Sequence, residues 1–271
     1  MVSSGDFNGD SKADILWRRK TDGENAIWLD GFQLLNSTSG RTITKQPDTN
    51  WQIITAKDFN GDGKSDILWR NNVTGENAIW FMDSFTVDGQ FLEKVPDKSW
   101  KIVGAGDIDD DGKADIIWRH ENSGENAVWL MDGKRLKDGK FITPLADKNW
   151  KIEAIGDLNG DGQDDIVWRN KITDESAVWF VDTTKLVNNK FFVDGKLIAN
   201  QNSDTPKPGL NWKLEAVADY NGDGKDDMLW RNYTTGENAL WWMNGSVIAE
   251  SGFISQGDSI LKNDVKWEII G

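Results

Sequence analysis

Five nine-residue stretches of this chain carry oxygen side chains at their first, third, fifth and ninth positions. In the second, Asp58-Phe-Asn-Gly-Asp-Gly-Lys-Ser-Asp66, these are Asp58, Asn60, Asp62 and Asp66. The others are Asp6, Asn8, Asp10 and Asp14; Asp107, Asp109, Asp111 and Asp115; Asp157, Asn159, Asp161 and Asp165; and Asp219, Asn221, Asp223 and Asp227. Several hard oxygen donors on one short loop suit a hard cation that tolerates many ligands, which is Ca2+ before Mg2+. Gly63 lets the chain turn with positive φ, so that the carbonyl of the seventh residue can also face the ion. That residue is Lys12, Lys64, Lys113, Gln163 or Lys225 in the five copies. Up to five Ca2+ are expected. The competing reading is a set of Asx turns held by their own hydrogen bonds, with no metal. Ser11 stands where the other copies have the turn glycine, and Asp109 adds a carboxylate to the third copy. The first loop is therefore expected to bind weakest and the third among the tightest.

Such loops need elements to hold them. After each comes an apolar run ending in Trp-Arg, from Asp14-Ile-Leu-Trp-Arg18 to the runs ending at Arg70, Arg119, Arg169 and Arg231. Turn residues follow, then a second run such as Glu24-Asn-Ala-Ile-Trp28. Both are short, rich in β-branched and aromatic residues and bounded by Gly, Asn and Asp, which reads as a hairpin. A variable segment carries a weaker strand, such as Gln90–Lys94 or Lys140–Thr143. A third tryptophan then opens a strand leading into the next loop, as in Trp51-Gln-Ile53 or Trp100-Lys-Ile102.

Successive loops begin 52, 49, 50 and 62 residues apart, the last interval being lengthened by an insertion around residues 188–209. Four strands in each unit of ~40–50 residues, without helical periodicity, predict an all-β fold, a five-bladed β-propeller. It is expected as one domain over 1–271, with repeats at about 5–51, 52–100, 101–150, 151–212 and 213–271. Trp267–Gly271 is expected beside Ile15–Arg18, closing the first blade with a C-terminal strand and removing two open edges.

Of the 16 tryptophans, three recur in each unit and Trp242 is extra. They either fill the wedge between sheets or stack on ligands such as sugars. The hairpins also place an arginine and a glutamate six residues apart: Arg18/Glu24, Arg70/Glu76, Arg119/Glu125, Arg169/Glu175 and Arg231/Glu237. These are expected to face each other across the strands, as an exposed pair or, with a tryptophan, as a polar ligand pocket in each blade. The fourth unit has Asp174-Glu175-Ser176 for Gly-Glu-Asn, so a site there would be altered.

A net charge of −14 argues against nucleic acid, whose phosphates need a basic surface. No stretch reaches the ~18 apolar residues of a membrane span. One histidine and no cysteine exclude repeated Ser-His-Asp triads, Cys-His pairs and poly-His zinc sites. The near-identical blades do not supply the unlike acids of a glycosidase, so no enzyme is expected. No signal peptide is visible ahead of the first loop.

Taken together, Asp-x-Asn-Gly-Asp-Gly-x-x-Asp, Asp-Ile-Leu-Trp-Arg and Gly-Glu-Asn-Ala-x-Trp resemble the FG-GAP/VCBS repeat family, also found in integrin α-subunit heads. The Trp-rich hairpins are similar, less specifically, to bacterial and fungal propeller lectins. The resemblance implies Ca2+ in loops between the first and second strands of each blade, and a secreted or cell-surface setting. The expected function is a multivalent, monomeric carbohydrate-binding module. The alternatives are an extracellular protein-interaction or adhesion module, or a structural or engineered repeat with no ligand beyond calcium.

Overall fold

The computed structural model describes residues 3–29, 40–256 and 259–260, and among these there is no helix. Twenty of the strands form five antiparallel sets of four, one for each repeat; the fifth set carries one further short strand in parallel, and Ser255–Gln256 pairs with Ser259–Ile260 apart from them. The first holds β1 (Ser3–Gly5), β2 (Asp14–Arg18), β3 (Asn25–Trp28) and β4 (Gly40–Ile43). The second holds β5 (Trp51–Lys57), β6 (Asp66–Asn71), β7 (Asn77–Asp83) and β8 (Thr86–Phe91), and the third β9 (Trp100–Gly106), β10 (Asp115–His120), β11 (Asn126–Asp132) and β12 (Arg135–Ile142). The fourth holds β13 (Trp150–Gly156), β14 (Asp165–Asn170), β15 (Ser176–Val187) and β16 (Lys190–Leu197). A two-residue strand, β17 (Ala199–Asn200), precedes β18 (Trp212–Ala218), β19 (Asp227–Asn232), β20 (Asn238–Asn244) and β21 (Val247–Phe253) of the fifth. This is the make-up of a five-bladed β-propeller.

Its residues group into two compact units, 1–106 with 111–141 and 107–110 with 142–271. Within the first, Phe7, Leu16 and Ile27 of the first repeat share a core with Ile53, Ile67 and Trp69 of the second. Phe59, Leu68 and Ile79 of the second repeat share another with Ile102, Ile116 and Trp118 of the third. Within the second unit, Leu158, Val167 and Val178 meet Met228, Trp230 and Met243. The second sheet is therefore covered on both faces, by the first and by the third. That is why Asp66–Asn71 reads as a continuous run and why all six of its residues are buried.

One strand expectation is revised. The outer strand of the second sheet runs Thr86–Phe91, so Leu92–Lys94 lies beyond it, because the pairing starts at the Asp83/Thr86 turn. The insertion of the fourth repeat is ordered strand. It lengthens β15 and β16 around a two-residue turn, with Asn188 and Asn189 at φ 53° and 59°, which asparagine tolerates. It then supplies β17, which pairs in parallel with β21. In the first sheet, Ser3–Gly5 fills the inner position as far as Leu16. The closing strand expected at Trp267–Gly271 lies outside the described residues.

Candidate functional site

The loops join the first and second strands of each sheet, as β5 leads into Asp58 and Asp66 opens β6. Their turns are wound by their own side chains. Asp58 Oδ1 accepts N–H bonds from Asn60 at 3.1 Å and Gly61 at 2.7 Å, and its Oδ2 accepts one from Gly63 at 2.7 Å. Asn60 Oδ1 accepts from Asp62 N–H and Asp62 Oδ1 from Lys64 N–H, both at 2.9 Å. The ninth residue anchors the loop to the next hairpin: Asp66 accepts from Phe59 N–H at 3.0 Å and Met82 N–H at 2.9 Å. The glycine requirement is real at the sixth position, where Gly63 has φ 80° and Ser11 adopts 64° in its place.

Asp66 and Asp165 are almost wholly buried. Burial pushes the Asp66 carboxyl up to about 7 and the Asp165 carboxyl up to about 9, and the carboxylates of their own loops add to the effect. Burial likewise raises Asp227. In the third loop, oxygens of Asp107, Asp109 and Asp115 lie within 4.8 Å of one another. A donor set made only of oxygens, packed this densely around buried acids, fits a hard cation. Lysines temper some loops. Lys12 Nζ lies 3.1 Å from Asp10 and Lys137 Nζ 3.0 Å from Asp111, whereas Lys64 and Lys113 turn outward to Asp83 and Asp132.

The hairpin pairs are not as expected. Arg70 lies opposite Asn77 in the ladder, not opposite Glu76. With side chains alternating between faces, Glu76 points away from Arg70. The same register sets Arg18 opposite Asn25, Arg119 opposite Asn126 and Arg231 opposite Asn238, so Glu24, Glu125 and Glu237 do not face their arginines. Asn77 Oδ1 accepts from Arg70 Nη1 at 2.8 Å. Arg70 Nη2 reaches the carbonyls of Val95 and Trp100 at 3.3 and 3.0 Å. Its guanidinium carbon lies 5.0 Å from the Trp118 ring centroid. Arg18 repeats this with Asn25, the Trp51 carbonyl and Trp69. Arg18 and Arg70 each clamp the following sheet. The Gly-Glu-Asn motif held the signal, since its asparagine recurs wherever the arginine does, with Ser176 as the exception.

The tryptophans build the other feature. Trp118 and Trp129 stand on one face of the third sheet, ring centroids 4.8 Å apart. Trp100 crosses the same face to within 5.9 Å of Phe141. Ala127 keeps the floor low, and a cavity of about 220 Å3 opens between Val95, the three indoles and Phe141. The fourth sheet repeats it with Trp150, Trp168, Trp179 and Leu197, at about 230 Å3, and the fifth with Trp212, Trp230, Trp241 and Phe253, at about 330 Å3. Glycines in the outer strand keep the rings flush. A Cβ at Gly139 would stand 3.2 Å from Trp129 Cδ1, and one at Gly195 2.9 Å from Trp179 Cδ1. The cavities lie at the start of the inner strands and the acidic loops at their ends, ~20 Å away for seven residues of strand.

Among the described residues no helix is long and apolar enough to cross a membrane. The FG-GAP-like repeat model matches residues 6–69, 58–118 and 107–168. No curated protein sequence matches the chain. Solved structures share the fold at low identity. An Agrocybe aegerita lectin that recognises non-reducing terminal N-acetylglucosamine is similar with a TM-score of 0.56 and 15% identity, covering 96% of this chain and 81% of its own. An auxiliary nutrient binding protein from Bacteroides thetaiotaomicron gives 0.51 and 11%, covering 95% and 61%. A luciferin-regenerating enzyme gives 0.53 and 8%, covering 93% and 76%.

Proposed function

Because this chain belongs to the FG-GAP-like repeat family, we propose that it is a calcium-stabilised propeller that binds carbohydrate at several sites and catalyses no reaction. The observation that carries the reading is the aromatic cavity repeated in the third, fourth and fifth sheets. Indole faces suit the C–H faces of sugars, and each cavity is wide enough for one sugar unit or its substituent. Arg70 already stands over Trp118, so a second positive charge is disfavoured there. Arg70, Arg119 and Arg231 are buried, and in this reading they support the cavity walls instead of touching ligand. Equal weak sites on one molecule gain avidity on a multivalent glycan surface. The lectin and nutrient-binding neighbours are in keeping with a binding role, and a secreted or cell-surface setting, as a monomer, accords with the family.

Calcium belongs to the same reading. The oxygen-rich loops would hold it through Asp58, Asn60, Asp62, Asp66 and their counterparts, with the seventh carbonyl, and the ion would neutralise acids that burial disfavours as anions.

A glycan array probed with calcium-loaded protein tests the reading. Binding to neutral saccharides, lost on replacing Trp129 with alanine in proportion to one site, is expected. An array without signal at saturating calcium overturns it. One observation favours a second reading, docking of a protein: Phe91, Phe141 and Phe253 stand about half exposed or more on the outer strands. Capture of a protein ligand that is lost when these three become serine would establish that alternative.

A further inference from the structure

We propose that the eighth residue of each acidic loop from the second to the fifth is a positioning residue for the loop before it, so that metal binding in one sheet depends on the next sheet. This rests on the calcium reading above. The eighth residue's N–H donates to the carbonyl of the first aspartate of the preceding loop in every consecutive pair: Ser65 to Asp6 at 2.6 Å, Ala114 to Asp58 at 2.7 Å, Asp164 to Asp107 at 2.6 Å and Asp226 to Asp157 at 2.7 Å.

Where the eighth side chain is polar, the bond is returned. Asp6 N–H donates to Ser65 Oγ at 3.1 Å, Asp107 N–H to Asp164 Oδ2 at 2.8 Å and Asp157 N–H to Asp226 Oδ2 at 3.0 Å. The residue ahead of the first aspartate leaves room for this. A Cβ on Gly5 would stand 2.7 Å from Ser65 Oγ, and one on Gly156 2.4 Å from Asp226 Oδ2. Where the eighth residue is Ala114, Lys57 takes the glycine's place. The two positions thus match each other across sheets.

The consequence is directional. Both backbone groups of the first ligand, Asp157, are fixed by Asp226, which is one peptide bond from Asp227, the last ligand of its own loop. Ordering the fifth loop therefore pre-orders the entry of the fourth, and the cost of holding Asp157 in place falls before any ion arrives.

The test is hydrogen–deuterium exchange of the whole protein during a Ca2+ titration, followed separately over residues 157–165 and 219–227. In Asp226→Ala, the calcium midpoint for protecting 157–165 should rise at least fivefold, while that for 219–227 moves less than twofold. Asp226→Asn keeps an acceptor oxygen and should restore the first midpoint. Gly156→Ala, which pushes the Asp226 carboxylate aside, should reproduce the defect, and it carries the test if Asp226→Ala does not fold. Midpoints that are both unchanged, or that rise together, overturn the proposal. Absence of calcium protection in both segments of the unmodified protein removes the calcium reading and this coupling with it.

Discussion

Asp174 binds Arg169 in the fourth sheet from the position that glycine holds in the other hairpins. Its carboxylate receives Nε at 2.8 Å and also Nη2, and its second oxygen accepts Gly209 N–H at 2.5 Å. Elsewhere the arginine's partner is the asparagine two residues on, which here is Ser176, whose hydroxyl has no partner among the described residues. The two changes compensate each other: the loss of asparagine is met by an aspartate that accepts a φ of 61°. Asp174→Gly alone should cost ~3 kcal/mol or more by leaving a buried guanidinium unpaired. Adding Ser176→Asn should return most of that, and a double-mutant cycle by chemical denaturation checks it. Additive losses would show that the two positions do not share the arginine.

The arginine and glutamate of a hairpin should separate in effect. Arg70 is 2% exposed and satisfies Asn77 and two carbonyls, so Arg70→Ala should lower stability by about 3 kcal/mol. Glu76 accepts only from Thr74 at the surface and approaches Lys94 at 3.6 Å, so Glu76→Ala should change stability by less than ~0.5 kcal/mol. Urea melts of the two variants decide this.

Calcium removal should lower the melting temperature sharply, and Ca2+ should restore it where Mg2+ does so poorly. A site filled at a hundredfold excess over Kd stabilises by ~2.7 kcal/mol, so a few sites rival the net stability of a domain. The first loop should be weakest, since Ser11 bears a left-handed φ and Lys12 holds Asp10. Ser11→Gly should tighten it, relieving ~1 kcal/mol of backbone strain. Melting curves that coincide in chelator and in millimolar Ca2+ would contradict the metal reading.

Gly139→Val should close one aromatic cavity without unfolding the protein. The added side chain must push Trp129 off the outer strand and into the space that Phe141 and Trp100 frame. Saturation calorimetry with a bound glycan should show one site fewer, with the same affinity at the rest. Unaltered stoichiometry would place the ligand elsewhere.

The repeat, the five sheets and the loops between first and second strands were legible because their signals are local: aspartates at fixed offsets, turns at glycine, and strands bounded by both. What was not legible depends on register. A spacing of six between Arg70 and Glu76 allowed them to face, but the ladder pairs Arg70 with Asn77, and one residue of slip reverses every side chain. The role of Ser65 or Asp226 was hidden for another reason. It belongs to contacts between residues more than fifty positions apart, and nothing in one repeat marks the neighbour it touches.

The small strand β17 has a mechanical consequence. It leaves the fourth repeat yet lies along β21 of the fifth, Ala199 beside Val247 and Asn200 beside Ile248, with Ala199 N–H held by the Ser246 carbonyl at 3.0 Å. A force drawing the fourth repeat away from the fifth would load these bonds in shear, along the strands, instead of opening them one at a time. In a pulling experiment the last two repeats should therefore yield together as one rupture event. The insertion that interrupts the period is also the strap that makes its two neighbours a single load-bearing piece.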